Sequence, residues 1–186
     1  MRVGMKSWYA LSAIGRDRPG IVADLAELIY ECDCNLEDSR MTILGTEFAV
    51  LLLLSGQGPD VERRLTAACK RLEWEKRLTV FFRPLEGDVV PEAEKPGRLL
   101  EAVVTGVDKA GIVARIARTL ADQRVNVEDL HTELRPEPGS GTPIYTMRIL
   151  LRVPPAGDER TLREQLERDA ADLCVELTVG EPGVAA

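Results

Sequence analysis

A basic face is missing from this sequence. Across 186 residues Asp and Glu outnumber Lys and Arg by 31 to 24, for a net charge of -7. A protein that grips nucleic-acid phosphates by itself carries the opposite excess, so direct nucleic-acid binding is excluded as the main activity. A role in gene control would run through another protein. A membrane-length apolar run is missing as well: the longest, FAVLLLL from Phe48 to Leu54, falls far short of the roughly 20 residues a spanning helix needs. The N-terminus has no signal-peptide pattern, and the expectation is a cytoplasmic protein without membrane contact. Cysteine is scarce. Residues 32, 34, 69 and 174 give one C-x-C and no C-x-x-C pair, which is neither zinc spacing nor a disulfide framework. Buried or half-buried free thiols are expected, with no metal and no cofactor.

What is present is a repeat. GRDRPGIV, Gly15 to Val22, returns ninety-one positions later as GVDKAGIV, Gly106 to Val113. Extended to Asp38 and Asp129, the two stretches agree at about ten of two dozen positions without a gap, a density that marks an internal duplication. Between the copies lies LEGDVVPEAEKPG, with two prolines, four acids and no apolar periodicity, which reads as an exposed linker. The expected organisation is a first domain over 1–85, a linker over 86–97 and a second domain over 98–186.

Periodicity changes in the same order within each half. SWYALSAIG and RLLEAVVTG are short, β-rich and end on glycine. Ile21, Val22, Leu25, Ala26 and Ile29, matched by Ile112, Val113, Ile116, Ala117 and Leu120, then recur at helical spacing. Two hairpins follow, one about Gly45 and one across the loop RPEPGSGT, and then second helices carry Val61, Leu65, Cys69 and Leu72, or Leu162, Leu166 and Leu173. RLTVFFRPL and LCVELTV close the units as strands. The order βαββαβ, twice, predicts an α+β chain of two ferredoxin-like domains in tandem, each a four-stranded antiparallel sheet with two helices on one face. The third strand of the second copy alternates, Tyr145, Met147, Ile149, Leu151 and Val153 against Thr146, Arg148, Leu150 and Arg152, so one face is dry and one mostly wet. FAVLLLL is apolar on both faces. That predicts a covered sheet, against a second sheet, a second domain or another copy, and a homodimer is among the candidates.

The repeated turn joins a strand to a helix N-terminus, where unpaired backbone N–H groups and the positive end of the helix dipole suit a carboxylate or phosphate. No Lys-Ser/Thr pair and no G-x-G-x-x-G follow, so it is neither a nucleoside-triphosphate loop nor a dinucleotide fingerprint. The competing expectation is structural: Asp17 and Asp108 as helix caps, with Gly20 and Gly111 there for close packing.

GRDRPGIV followed by NLEDSR resembles the ACT domain, a βαββαβ amino-acid-binding module, and the whole chain is similar to the tandem-ACT repressors of glycine cleavage. The likeness is carried by DRPGIV, CDCNLEDSRM and LGTEF, and is weaker in the second half. It implies a ligand-sensing protein that acts by protein contact, holding a LysR-type activator in check until glycine relieves the hold. In ACT modules that bind serine, an amide side chain in the turn acts with an asparagine before the second strand; here Asp stands at the amide's position. Those positions match Asp17 and Asn35, and Asp108 and Asn126. The implied ligand-binding set is Asp17, Arg18, Pro19, Gly20, Ile21 and Asn35 in one copy, with Asp108, Ala110, Gly111, Ile112 and Asn126 in the other; no catalytic residue is implied.

About thirteen helical residues at 1.5 Å each put Gly20 and Asn35 about 20 Å apart, too far for one small ligand. The pairs would therefore form across domains, Asp17 with Asn126 and Asp108 with Asn35. Asp accepts from an ammonium, the turn amides take a carboxylate, and Asn supplies either role. Glycine is the first ligand expected and serine the next. His131, the lone histidine, matches Arg40 and reads as surface. Glu37 and Asp38, with Glu128 and Asp129, are acidic pairs at matched positions; as strand neighbours they point to opposite faces and read as polar surface or partner contact. Two alternatives stand beside the sensor: an allosteric subunit or module of an amino-acid metabolic enzyme and, more distantly, an acylphosphatase-like hydrolase. The hydrolase needs an Arg beside its phosphate loop, where the first copy has Ile-Val-Ala.

Overall fold

The computed structural model describes residues 6–87 and 95–183. The chain divides into two compact units, Met1–Val90 and Pro91–Ala186. In the first, β1 (Lys6–Arg16), α1 (Ile21–Glu31), β2 (Cys34–Leu44), β3 (Glu47–Gln57), α2 (Val61–Lys76) and β4 (Thr79–Leu85) follow in order. The second repeats this as β5 (Arg98–Val107), α3 (Ile112–Asp122), β6 (Asn126–Pro136), β7 (Pro143–Val153), α4 (Glu159–Leu173) and β8 (Glu176–Gly180). Each unit is a four-stranded antiparallel sheet, ordered β2-β3-β1-β4 and β6-β7-β5-β8. Helices cover one face. This is the ferredoxin-like arrangement, twice.

Each unit has its own core. Leu11 and Ala13 of β1 and Phe48, Leu52 and Leu54 of β3 meet Ile21, Leu25, Leu65 and Leu72 of the helices. Ala102, Val104, Met147, Ile149 and Leu151 meet Ile112, Ile116, Leu120 and Leu166 in the second unit. Two of the apolar positions expected on each first helix turn outward. α1 buries Ile21, Leu25, Leu28 and Ile29, the i, i+4, i+7, i+8 set of a single stripe. Val22, about 100° further round, is 57% exposed, and Ala26 is exposed beside it. In α3 Val113 and Ala117 are exposed in the same way.

Residues 88–94 lie outside the described residues, but Lys95 is docked on the second unit. Its carbonyl accepts from Arg152 Nη1 at 3.1 Å and its ammonium pairs with Glu128 at 3.2 Å. Gly97 sits at φ 118, where a Cβ would meet the Val153 carbonyl oxygen at 2.4 Å. Arg152, expected on a wet face, is buried under this segment. Among the thiols Cys32, Cys34 and Cys69 are buried, and Cys174 is exposed, unlike the buried or half-buried state expected of it. It stands at the C-cap of α4 with φ 56, where the chain leaves the helix. The two faces of β3 are both apolar: Phe48, Val50, Leu52 and Leu54 turn to the helices, while Leu51 on the other face is 57% exposed. No helix among the described residues is long and apolar enough to cross a membrane.

Candidate functional site

The repeated turn has the same shape in both units. Gly20 is the N-cap of α1 at φ 93, ψ -7, and Gly111 the N-cap of α3 at φ 99, ψ -6. The helical bonds begin there, Asp24 N–H to the Gly20 carbonyl and Arg115 N–H to that of Gly111, each at 2.9 Å. A Cβ at Gly20 would meet only Arg18 Nη1, at 3.7 Å, and at Gly111 nothing within 4 Å. Backbone conformation, and not the close packing expected, makes glycine necessary at both. The expected Asp caps are absent too, since neither N-cap has a side-chain hydrogen bond. Asp17 and Asp108 lie three residues ahead of the caps, and a glycine in the left-handed region makes the bend between. Their backbone amides fasten the turn to the hairpin, Asp17 N–H to the Thr46 carbonyl at 2.8 Å and Asp108 N–H to that of Pro143 at 3.3 Å. Among the described residues neither carboxylate has a hydrogen-bond or ion-pair partner. The amides of the first helical turn have no helical carbonyl four residues before them and receive no side-chain cap, which leaves an anion-favouring end next to a free carboxylate.

Around that shared frame the two units are charged differently. Arg18 donates to Asp24 at 2.5 Å and Lys76 pairs with the other oxygen at 2.9 Å; Arg18 first and Lys76 second hold the Asp24 carboxyl below its ordinary value. At the position matching Asp24 the second unit has Arg115, which donates to Asp169 at 2.6 Å and to Asp172 at 3.1 Å. Asp169 is buried, which pushes its carboxyl up, yet the Thr119 hydroxyl and Arg115 outweigh that and leave it lowered. The side chains of Ile21 and Ile112 are in the cores. Of the expected ligand set, those two can offer only their amides.

Asn35 and Asn126 lie at the other ends of the same helices. α1 spans 11 residues, roughly 16 Å, so no single small ligand touches Asp17 and Asn35 of one unit. Asn35 borders a polar pocket with Lys6, Asp33, Ser55, Gly56 and Gln57. Asn126 donates to Glu128 Oε1 at 2.9 Å. Glu128 also receives Arg152 Nε at 2.8 Å and the Lys95 ammonium at 3.2 Å. Those bonds, Asn126's first and Arg152's next, hold its carboxyl down at about 2.

The acidic pairs behave otherwise than expected. Register shifts between Leu36 and Asp38, and between Val127 and Asp129, interrupt the alternation that would send neighbours to opposite faces. Glu37, the inserted residue, accepts from the Ser55 hydroxyl and pairs with Lys6 at 2.9 Å; Glu128 is its counterpart. These acids, named in the sequence only as polar surface or partner contact, stand around the asparagines together with Lys6, Ser55, Lys95 and Arg152, which sequence reasoning missed. The repeated Glu-Asp after each asparagine was the available signal. His131 is exposed opposite Arg148 on β6, and among the described residues no cluster of His, Cys, Asp and Glu is placed to hold a metal.

Fold and turns define a class: tandem ferredoxin-like modules with an uncapped, glycine-made helix start in each. Residues 10–83 match the family model of the ACT domain. The glycine cleavage system transcriptional repressor of Escherichia coli is 43% identical over 56 residues, a stretch that covers 30% of each chain. A protein of unknown function from Galdieria sulphuraria superposes over 95% of this chain and 99% of its own, with a TM-score of 0.75 and 27% identity. A structure provisionally assigned as a glycine cleavage system transcriptional repressor covers 95% and 97%, with a TM-score of 0.72 and 22% identity, which speaks for fold alone. This chain is thus similar over nearly its full length to solved structures, and over 56 residues to a curated regulator.

Proposed function

We propose that this protein senses a small amino acid and regulates by protein contact, as a repressor-type partner of a LysR-type activator of glycine cleavage genes. The observation that carries the reading is the duplicated turn: a left-handed glycine at a helix start, without a side-chain cap, beside a carboxylate that has no partner among the described residues. The amino acid's carboxylate takes the amides of the first helical turn, and its ammonium takes Asp17 or Asp108. Arg18 and Pro19 in one unit, and Ala110 in the other, line the approach. The asparagines are too distant to complete a turn of their own unit, so their part is read separately, from Asn35→Ala and Asn126→Ala.

The net charge of -7 speaks for an indirect route to DNA. Glycine is the first ligand to test and serine the next, by calorimetry on the intact chain. For the partner, affinity capture with the tagged protein and mass spectrometry should return a LysR-type activator, released by glycine. Capture of an amino-acid metabolic enzyme instead would favour the allosteric-subunit reading.

A further inference from the structure

The open face of the first sheet has a pattern that its register makes explicit. Cross-strand partners share a face, so β2, β3, β1 and β4 contribute to common rows: Asp38, Leu53, Ala10, Arg83, and next to it Arg40, Leu51, Ser12, Phe81. In the following row Ala49 is beside Ile14. Leu51, Phe81 and Ile14 are 57%, 68% and 51% exposed, and Ala10, Ser12, Leu51, Leu53 and Phe81 line one shallow depression. An apolar sheet face of this kind calls for an occupant.

We infer that the occupant is the same face of a second copy, related by a twofold axis parallel to the strands. Such an axis maps each row onto itself in reversed order, so β1 lies over β3 of the second copy and β2 over its β4. Every central position then meets its complement. Leu53 lies over Ala10, Leu51 over Ser12, and Ala49 over Ile14, large against small each time. At the two ends of the first row Asp38 lies over Arg83, giving two opposite-charge pairs. Among the described residues Arg83 has no carboxylate partner within its own chain, and the Asp38 carboxylate accepts only from the next amide, Ser39 N–H at 2.7 Å.

The second unit is a control within the same chain. There the matching row is Asp129, Leu150, Glu101, Gly180, and the same operation sets Leu150 over Glu101 and Asp129 over a glycine. Aligned sheet packing turns the two sheets by about 30°, which spreads the corners and leaves the central rows in register. Four strands about 4.8 Å apart and rows about 6.8 Å apart offer about 500 Å² per copy, or about 1,000 Å² in all, where specific interfaces begin.

Sedimentation of the full chain from about 1 to about 200 µM should show a reversible dimer. Leu51→Lys should raise its dissociation constant more than tenfold. Asp38→Arg and Arg83→Asp should each weaken it, and the double variant should recover most of the loss. All three sites are on the sheet surface, and circular dichroism will confirm that the variants fold. A monomer throughout the range, or a dimer indifferent to Leu51→Lys, overturns the proposal. A double variant as weak as the sum of its singles overturns the axis and so the pairing.

Discussion

Replacing Glu128 by Gln removes one charge and keeps the shape. Glu128 lies at the β6 bulge with its side chain 6% exposed, paired with Arg152, whose side chain is 10% exposed. Asn126 and Lys95 complete the cluster. Lowering that carboxyl from 4.5 to about 2 corresponds to about 3 kcal/mol of stability. The sign follows from the direction: a carboxylate held down in the folded state stabilises above its ordinary range, and the gain is lost as pH falls from about 4.5 towards 2. At neutral pH Glu128→Gln should therefore cost the second unit about 3 kcal/mol, since the buried Arg152 loses the carboxylate that accepts from its Nε. Urea unfolding followed by circular dichroism reads this. Trp8 and Trp74, both in the first unit, report by fluorescence whether that unit's transition stays in place. Between pH 5 and pH 3 the wild type should lose stability more steeply than the variant. A loss below about 1 kcal/mol at neutral pH, or equal slopes in acid, would refute the reasoning.

Gly20→Ala and Gly111→Ala each force a side chain into the left-handed region, at a cost of about 1 to 2 kcal/mol; because no atom crowds either site, Asn in place of Ala should recover part of it, and thermal melts will show whether it does. Maleimide should label Cys174 within the folded protein and the other three thiols only on unfolding, because burial raises all three and takes those of Cys34 and Cys69 up to about 11; fast labelling of any of the three would contradict the core assignment. The purified protein alone should not retard a DNA fragment at moderate salt, and a shift with a steep salt slope would count against the indirect route.

The fold was legible because the duplication repeats not only residues but the order of periodicities, and because Ile21, Leu25 and Ile29 recur with their counterparts. What stayed hidden has physical reasons. Val22 and Ala26 are as apolar as their neighbours, and only the angle around α1 separates them from Leu28. Glycine in a turn is equally required by a tight contact and by a positive φ, so Gly20 and Gly111 could not declare which. Arg152 alternates as a surface residue should, and its burial depends on Lys95 folding over it from a stretch without periodicity. The bulges at Glu37 and Glu128 are events of register between two strands, which one strand's pattern does not record. Asp17 and Asp108 were found as candidates because the turn repeats, although the capping role open to them is not the one they take.

Titration calorimetry of the intact chain with glycine, then serine, beside Asp17→Ala, Asp108→Ala and the double variant, tests the central claim most directly. Each single variant should lose the hydrogen bond to the ammonium at its own turn, about 1.5 to 3 kcal/mol or roughly ten- to a hundredfold in affinity there, and the double variant should lose binding altogether. Unchanged binding in the double variant, or no binding of any small amino acid by the wild type, would contradict the account and leave the two turns as structural corners of the fold.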